Sequence, residues 1–255
     1  MIKNSTTRFS GRVENYVKYR PSYPAAIIPF LQKACGLMTE SLVADIGSGT
    51  GKLTELFLKN GNRVFGVEPN REMREAGERL LSDYPKFQSV HATAEATTLA
   101  DHSIELIVAG QAFHWFDREA ARREFFRILK PGGCVALIWN DRKINASPFL
   151  MDYEKLLVTY ATEYREVNHR NVDLSMLGSF FGPDGFKHAE FPNAQVFDWA
   201  GLQGRLLSSS YAPEAGHPNH APMLQALDKL FERYQSDGKV VLACDTMVYY
   251  GQFSE

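Results

Sequence analysis

A glycine-rich turn and a neighbouring carboxylate are the first residues in the sequence that could do chemistry. The turn, residues 47–51, follows the apolar run Leu42–Ile46 and precedes a helical pattern from Lys52. Glycine allows positive φ and a close approach of a ligand to the backbone, and the next helix offers free N–H groups. Asp45, at the mouth of the turn, would repel phosphate and suit an ammonium group. The spacing G-x-G-x-G with Lys52 next disfavours both a dinucleotide fingerprint and a P-loop.

An acidic residue also ends the second predicted strand. Glu68 stands 19 residues after Gly49 and directly before Pro69. At this place in an alternating α/β pattern, a carboxylate can accept hydrogen bonds from both hydroxyls of a ribose. The alternative is a surface glutamate that precedes a proline turn. Together with the glycine turn, Glu68 favours a ligand that carries a ribose and an ammonium group.

A histidine among aromatic residues follows the fourth predicted strand. The segment is Gln111-Ala112-Phe113-His114-Trp115-Phe116. Open α/β sheets bind their ligands at this carboxyl edge. His114 is therefore the candidate general base for an acceptor that must lose a proton, whereas a carboxylate acceptor needs no base. The alternative is that His114 only forms hydrogen bonds and packs beside Trp115.

Aromatic residues elsewhere in the sequence are candidates for a substrate cavity. Trp115, Trp139 and Tyr211 either wall an apolar cavity or belong to the core. The sequence alone leaves both interpretations open.

Arginines are the candidates for an anionic substrate. Arg142 follows the fifth predicted strand, and Arg20 and Arg205 are possible contributors. A small acceptor with several carboxylates should need two or more converging basic side chains. Nothing in the sequence shows that these three converge.

The composition is that of an ordinary globular chain. It has 255 residues, 44% of them hydrophobic and 23% charged, which argues against disorder and suits one large domain. The net charge of −2 weighs against a nucleic-acid binder. The polar N-terminus is no signal peptide, and no apolar run approaches the roughly 18 residues that span a bilayer. We therefore expect a cytoplasmic protein with no membrane or nucleic-acid partner.

The three cysteines, Cys35, Cys134 and Cys244, are far apart and form no Cys-x-x-Cys pair. Their spacing supports neither a disulfide framework nor a zinc knuckle. His217 and His220 have a metal-like spacing without cysteine or acidic neighbours, and a polar loop is the better interpretation. We predict no metal site and a reducing compartment.

Short apolar runs alternate with helical patterns between about residues 25 and 140. This alternation predicts a parallel sheet covered by helices on both faces. Strands are predicted at 42–46, 63–67, 87–91, 104–109 and 134–139, and helices at 52–60, at 70–81 and from 117 to the break at 131–133. After about residue 145 the alternation stops, and two extended segments are predicted near 186–199 and 239–253.

The joint pattern resembles class I S-adenosylmethionine-dependent methyltransferases, in particular the type 11 group that acts on small molecules. Four blocks match in order and spacing, within about residues 40–140. They are Val43-Ala44-Asp45-Ile46-Gly47-Ser48-Gly49-Thr50-Gly51, Val64-Phe65-Gly66-Val67-Glu68-Pro69, the run from Ala94-Glu95 through Gln111, and Arg127-Ile128-Leu129-Lys130-Pro131-Gly132-Gly133.

The resemblance implies S-adenosyl-L-methionine as cofactor, with S-adenosyl-L-homocysteine as product. The turn would pass under the methionine part of the cofactor, with Asp45 supporting it near the amino group and Glu68 holding the ribose. The implied turn residues are Gly47, Ser48, Gly49 and Gly51, the adenine neighbours Pro69, Met73, Ala94 and Glu95, and the sulfonium neighbours Gln111 and Ala112. For Glu95, a helix-capping carboxylate is the alternative.

The N-terminal arm is similar to relatives of the trans-aconitate methyltransferase type. The similarity lies in the string Tyr-x-x-x-Arg-Pro-x-Tyr-Pro at residues 16–24. It implies that Arg20 pairs with the cofactor carboxylate and that Tyr16 covers the methyl group. A plain surface salt bridge is the alternative for Arg20.

The resemblance also implies an α/β fold with a Rossmann-like, seven-stranded, mostly parallel sheet, helices on both faces and an antiparallel last strand. We expect one methyltransferase domain over residues 1–255. It would comprise an arm (1–24), a cofactor-binding core (40–140), a helical lid insertion (145–182) and a segment that completes the sheet (186–255).

The function implied is methyl transfer to a small organic acceptor by a monomer or homodimer. One alternative is a protein that binds the S-adenosyl ligand without transferring a methyl group, and another is a methyltransferase acting on protein. The acidic net charge and the absence of a basic stripe weigh against RNA. Asp45 and Lys52 weigh against an NAD-dependent oxidoreductase.

Overall fold

Seven strands of the described part of the chain, residues 11–166, 169–182 and 185–253, form one sheet in this computed structural model. The strands are β1 (Leu42–Ile46), β2 (Arg63–Val67), β3 (Phe87–Val90), β4 (Ile104–Gly110), β5 (Leu129–Arg142), β6 (Lys187–Phe197) and β7 (Val240–Gln252). The α-helices are α1 (Val13–Tyr19), α2 (Ile27–Cys35), α3 (Lys52–Lys59), α4 (Arg71–Leu80), α5 (Arg118–Ile128), α6 (Pro148–Tyr160), α7 (Leu174–Phe181), α8 (Trp199–Leu207) and α9 (His220–Tyr234).

The strand order is β3-β2-β1-β4-β5-β7-β6. The pairs from β3 to β5 are parallel, whereas β7 is antiparallel to both β5 and β6. The predicted Rossmann-like sheet with an antiparallel last strand is confirmed. Connections from β1 and β4 leave in opposite directions along the sheet, and such a reversal opens a crevice at the carboxyl ends of those two strands.

Apolar residues cover both faces of the sheet. Alternate residues of β1 point to opposite faces, so Ala44 packs in one cluster and Val43 in the other. Phe125 of α5 fills the first cluster and Phe57 of α3 fills the second, and both are fully buried. Because both faces are covered, β1 is apolar except for Asp45, its next-to-last residue, whose carboxylate is buried.

The break predicted at residues 131–133 lies inside β5 and not between a helix and a strand. Helix α5 ends at Ile128, and Leu129 is already extended. Ile104 pairs with Leu129 and Leu106 with Cys134, so β5 advances five residues where β4 advances two. The Pro-Gly-Gly segment therefore forms a bulge in the strand.

Helix α8 was not predicted, because the sequence pattern extends the preceding strand to residue 199. The strand ends at Phe197, and the side chain of Asp198 accepts a hydrogen bond from the Gly201 amide at 2.7 Å. This N-cap starts a helix directly after the strand. Leu202 and Leu206 of α8 are fully buried against α6 and α9.

The described part of the N-terminal arm is held against three other elements; its first ten residues lie outside the described part of the chain. Lys52 Nζ donates to the Val17 carbonyl at 2.8 Å, and Gln195 Nε2 donates to the Tyr19 carbonyl at 2.9 Å. Arg12 donates to the carbonyls of Ser209 and Ala212. The arm is thus docked on the start of α3, on β6 and on the segment that follows α8.

We predict that Gly204→Ala displaces the arm. A Cβ at Gly204 would lie 2.0 Å from the ring of Tyr19, so α1 could not keep its packing on α8. Such overpacking costs about 1–3 kcal/mol. The control is Gly178→Ala in α7, where a Cβ would meet nothing within 4 Å and alanine adds about 0.5–1 kcal/mol. Urea unfolding measures both variants, and equal stabilities would contradict this account of the docking.

The two helices of the segment predicted as a lid, residues 145–182, pack in different places. Helix α6 buries Leu150 and Leu157 in a cluster with α8 and α9. Helix α7 buries Leu177 and Phe181 in the cluster that covers the sheet beside α5. Closure of this segment over a substrate stays a prediction, as does the division of the chain into arm, core, lid and sheet completion.

The interpretation of the cysteines was wrong for one pair. Cys35 and Cys134 form a disulfide across 99 residues of sequence, with 5.8 Å between their Cα atoms. Helix α2 packs on the face of the sheet to which Cys134 of β5 points, and this tertiary contact brings the pair together. Cys244 is a free, buried thiol.

Candidate active site

Two adjoining cavities open where β1 and β4 end at their carboxyl termini. Their volumes are about 130 and 120 Å³. Tyr16, Gly47, Gly110, Gln111 and Trp115 line both cavities and form the boundary between them. The first cavity extends from this boundary towards α8, and the second extends towards the start of α4. A ligand that occupies both cavities must pass over the glycine turn.

The glycine turn has the conformation that its sequence predicts. Gly47 and Gly49 have φ of 72° and 57°, in the left-handed region. The amides of Gly47 and Ser48 both donate to the carbonyl of Val67, at 2.8 and 3.1 Å, which ties the turn to β2. A Cβ at Gly47 would lie 2.5 Å from the Cβ of Ala112. The turn therefore forms a backbone cradle that a side chain would fill.

Asp45 points into the first cavity and has one carboxylate oxygen without a partner. Its Oδ2 accepts a hydrogen bond from the Thr54 hydroxyl at 2.6 Å, whereas Oδ1 is buried and accepts none from the described residues. Burial raises the pKa of Asp45 to about 7; the hydrogen bond from Thr54 acts against this, and the charge of Glu68 adds to it. An ammonium group of a ligand would satisfy Oδ1 and stabilise the charged carboxylate.

Glu68 links the glycine turn to the helix that follows β2. Its Oε2 accepts a hydrogen bond from the Gly49 amide and its Oε1 from the Asn70 amide, both at 2.8 Å. Asn70 in turn caps α4 by accepting from the Met73 amide at 2.9 Å. Burial raises the pKa of Glu68 against these two backbone hydrogen bonds. The carboxylate is therefore fixed at the edge of the second cavity, and ribose binding stays a prediction.

The residues predicted beside an adenine do line the second cavity. They are Pro69, Met73, Ala94 and Glu95, and Ala112, predicted beside the sulfonium, lines the same cavity. Met73 is 3% exposed and Ala94 5%, so this wall of the compartment is apolar and well packed. Glu95 also accepts a hydrogen bond from the amide of Asp117, the capping residue of α5, at 2.9 Å. Its two interpretations, adenine neighbour and support of a helix start, are compatible in this geometry.

Gln111 has a strained backbone at the boundary of the two cavities. Its φ is 57°, a value that non-glycine residues seldom adopt. The Gln111 amide donates to the Ile138 carbonyl at 2.8 Å, and its side-chain Nε2 donates to the Asn140 carbonyl at 3.2 Å. Strain of this kind persists only where the surroundings hold it, and it concentrates at functional sites.

His114 and Trp115 follow Gln111 in a short 3₁₀ helix, Phe113–Trp115. The imidazole of His114 lines the first cavity, and its ring centroid lies 4.6 Å from that of Trp115. His114 thus faces the compartment where an acceptor would lie and also packs beside the indole. Its role as a general base stays a prediction.

Trp139, expected as a possible cavity wall, is in the core. It is 4% exposed and packs against Phe113 and Tyr249, with ring centroids 6.1 and 5.7 Å away. Alternate residues of a strand point to opposite faces, so Trp139 faces the same side of the sheet as Val135 and Leu137. It lines neither of the two cavities.

The three candidate arginines converge, which the sequence could not show. Arg20, Arg142 and Arg205 all line the first cavity, together with Tyr211. They come from the end of α1, the end of β5 and the last turns of α8. The remaining residue predicted for the turn, Gly51, caps α3 with φ of 84° and lies outside both cavities.

Sequence reasoning missed Tyr23, Asn140 and Tyr164, which also line the first cavity. Tyr23 belongs to the arm string and lies against Gly110, where a Cβ would meet its hydroxyl at 2.5 Å. Asn140 lies at the carboxyl end of a predicted strand, a signal that could have found it. Tyr164 reaches the cavity only through packing after α6, and no sequence signal marks it.

Comparisons with known proteins bear on the family of this chain. Residues 44–137 match the family model described as a methyltransferase domain. The chain is 27% identical over 246 residues to an uncharacterized methyltransferase-like protein of Schizosaccharomyces pombe, covering 94% of this chain and 93% of that protein. It is 36% identical over 140 residues to an uncharacterized methyltransferase of Mycobacterium bovis, and this alignment covers 55% of each chain.

Solved structures share the fold. A protein from Anaeromyxobacter dehalogenans, provisionally described as a type II methyltransferase, superimposes with a TM-score of 0.63 at 19% identity, over 91% of this chain and 95% of that one. The YcgJ protein from Bacillus subtilis superimposes with a TM-score of 0.56 at 17% identity, over 91% of this chain and 100% of that one. At these identities the likeness concerns the fold alone.

The fold, the matched domain model and the relatives named methyltransferases confirm the predicted resemblance to class I methyltransferases. The match to the methyltransferase domain model covers residues 44–137 of this chain. The narrower similarity of residues 16–24 to trans-aconitate methyltransferases lies outside the matched domain and stays a prediction.

Within 11–166, 169–182 and 185–253, no group of three or more His, Cys, Asp or Glu side chains could hold a metal ion. In the same ranges, no helix is both long and apolar enough to cross a membrane.

Proposed function

We propose that this methyltransferase transfers a methyl group from S-adenosyl-L-methionine to a small organic acceptor. The observation that carries the proposal is the partnerless oxygen of Asp45 in the first cavity, next to a glycine cradle that borders both cavities. A cofactor with an ammonium group at one end and a nucleoside at the other fits this arrangement. When bound, it supplies a methyl group that its sulfonium already activates.

Different residues of the chain would bind different parts of the cofactor. Asp45 would hold the ammonium group, Glu68 the ribose, and the apolar wall around Met73 the adenine. Tyr16 and Gln111 line both cavities, so they would border the sulfonium and shield the reacting atoms from water. Because the donor is already activated, orientation and exclusion of water would supply much of the rate.

The same features weigh against other classes of ligand. A dinucleotide would bring a pyrophosphate to the turn, where the unpaired oxygen of Asp45 would repel it. Two alternatives remain: the protein binds the cofactor without transferring a methyl group, or it methylates a protein. The product of the reaction distinguishes both alternatives from this proposal. Formation of S-adenosylhomocysteine together with a methylated compound from a pool of small molecules would support the proposal over both alternatives.

We predict that Glu68→Ala weakens the binding of S-adenosylhomocysteine. Hydrogen bonds to a charged group contribute about 1.5–3 kcal/mol, so the dissociation constant should rise by about 10- to 150-fold. The matched control is Glu75→Ala on α4, whose carboxylate is paired with Arg71 on the surface and lies outside both cavities. Calorimetric titration measures all three proteins. An unchanged affinity in Glu68→Ala would remove Glu68 from the cofactor site.

A further inference from the structure

The first cavity holds more positive charge than the proposed cofactor can balance. The described residues that line it include the basic side chains of Arg20, Lys52, Arg142, Arg170 and Arg205, against two carboxylates, Asp45 and Asp141. Asp141 is already paired with Arg170 at 2.7 Å. Asp45 lies at the other end, on the glycine turn. The excess positive charge is therefore at the end of the cavity that faces α8.

Arg20 and Arg205 have neutral hydrogen-bond partners only, within the part of the chain that the structure describes. Arg20 Nη2 donates to the Ser208 carbonyl at 3.0 Å, and Arg205 Nη1 donates to the Ser209 hydroxyl at 3.2 Å. The Nε atoms of both guanidinium groups are buried without a partner. A buried cation with unmet donors is costly unless an anion completes it.

Arg142 differs, because a carboxylate already balances its charge. It forms an ion pair with Glu154 and donates to the Tyr164 hydroxyl at 3.0 Å. Its guanidinium also lies over the ring of Tyr153, 5.1 Å from the centroid. Its Nε is nevertheless buried and without a partner, so one donor of Arg142 is still available to a ligand.

The pKa of Tyr211 shows the effect of these three cations. Burial raises the pKa of its phenol, but the charges of Arg142, Arg205 and Arg20, together with a hydrogen bond with Ser209, bring the pKa below its ordinary value of 10.0. The neighbouring cations affect Arg205 as well, because burial and the charge of Arg20 lower its pKa to about 10. The cations therefore act on one small volume beside Tyr211.

One cation of this cavity, Arg205, is left over for the methyl acceptor once the other charges are paired. The proposed cofactor carries one carboxylate, and Arg20, on the arm beside the glycine turn, is its predicted partner. With Arg142 balanced by Glu154, and with Lys52 bonded to the Val17 carbonyl near the glycine turn, only the charge of Arg205 is left at the end of the cavity that faces α8. We infer that the methyl acceptor carries a carboxylate, held by Arg205 with the free donor of Arg142 beside Tyr211. This inference rests on the proposed function, since it assumes that the cofactor carboxylate occupies Arg20.

A carboxylate fits the vacant donors better than a phosphate does. One unbalanced guanidinium matches the single charge of a carboxylate, and its planar fork binds both oxygens in parallel. A phosphate dianion would need a second unbalanced cation at this end of the cavity. The tyrosine rings at this end, with Tyr164 and Tyr211 4.9 Å apart edge to face, would cover the apolar part of such an acceptor.

The test uses butyrate as the probe and butyramide as its neutral counterpart. Each is titrated into the chain saturated with S-adenosylhomocysteine, and ligand-observed NMR gives the dissociation constant. Inorganic phosphate is titrated in parallel. The variants are Arg205→Gln, Arg205→Lys and the control Arg233→Gln, whose side chain is 70% exposed on α9. Calorimetry gives the affinity of every variant for S-adenosylhomocysteine.

We expect butyrate to bind at least fivefold more tightly than butyramide or phosphate. Arg205→Gln should weaken butyrate at least fivefold, Arg205→Lys less, and Arg233→Gln not at all, with S-adenosylhomocysteine changed less than twofold throughout. Equal binding of butyrate and butyramide, tighter binding of phosphate, no binding of butyrate, or an unchanged butyrate affinity in Arg205→Gln would overturn the inference. If native protein fails to bind S-adenosylhomocysteine, the proposed function falls, and butyrate titrations of the unliganded native and Arg205→Gln chains still test Arg205.

Discussion

Asp45→Asn should weaken the binding of S-adenosylhomocysteine by about 10- to 150-fold without destabilising the fold. The substitution removes a charge-assisted hydrogen bond to the ligand's ammonium group, which contributes about 1.5–3 kcal/mol. It keeps the shape of the side chain and a carbonyl oxygen for the Thr54 hydroxyl, now 2.6 Å from Oδ2. Calorimetry gives the affinity and urea unfolding the stability. Native affinity in Asp45→Asn would mean that the ammonium group lies elsewhere.

The same residue should make cofactor binding depend on pH. Burial is the main cause that raises the pKa of Asp45 to about 7 in the unliganded protein. A ligand ammonium group beside the carboxylate would lower this pKa, so binding would release a proton. Affinity should therefore fall as pH drops through 7, by about tenfold between pH 8 and pH 6. The affinity ratio of native protein to Asp45→Asn cancels the titration of the ligand's own amino group. A ratio that does not change with pH would contradict the pairing.

The stability of the fold should respond to pH in the opposite sense. The pKa of Asp45 is higher in the folded chain than its ordinary value of 3.8, so between about pH 4 and 7 the folded state binds more protons than the unfolded state. The free energy of unfolding contributed by this group therefore decreases as pH rises through that range. Relative to Asp45→Asn, the native chain should lose stability from pH 5 to pH 8 when both are unfolded by urea without ligand.

Gly47→Ala should destroy the cradle and with it the cofactor site. Alanine at a φ of 72° costs about 1–2 kcal/mol, and its Cβ would stand 2.5 Å from the Cβ of Ala112, where overpacking adds about 1–3 kcal/mol. The Gly47 amide is bonded to Val67 and Ala112 begins the 3₁₀ turn, so neither backbone can move without opening the boundary of the cavities. S-adenosylhomocysteine affinity should fall at least tenfold.

Gly132→Ala is the matched control for this substitution. Its φ is 78°, close to that of Gly47, but a Cβ there would meet nothing within 4 Å. It should share the backbone strain and leave cofactor affinity unchanged. Equal losses of affinity in the two variants would show that strain alone, and not the contact with Ala112, is responsible.

The cofactor half of the fold could be predicted because its signals are local. The glycine turn, the cap at Asn70 and the cap at Asp117 each lie within a few residues of the strand or helix that they begin or end. Helix α8 was missed because its start depends on Asp198 capping an amide three residues on, directly after a strand whose pattern shows no break. The disulfide was missed because only the packing of α2 on β5 brings Cys35 to Cys134.

The acceptor half of the site depends on tertiary packing, so residue types alone could not place it. Arg20, Arg142 and Arg205 are more than 60 residues apart in sequence, and the docking of α1 on α8 beside the end of β5 brings them together. For Trp139 the sequence left cavity wall and core open, because its strand face, and not its residue type, decides whether it meets the cavity. Tyr164 pairs with Arg142 from beyond the end of α6, which no spacing indicates.

The central claim is that the glycine turn binds an S-adenosyl ligand, and one calorimetric comparison tests it most directly. S-adenosylmethionine, S-adenosylhomocysteine and NAD are titrated separately into the full native chain under the same conditions. We predict saturable binding of both S-adenosyl ligands and none of NAD, because the unpaired oxygen of Asp45 accepts an ammonium group and repels a pyrophosphate. Binding of NAD with no binding of either S-adenosyl ligand would contradict the account.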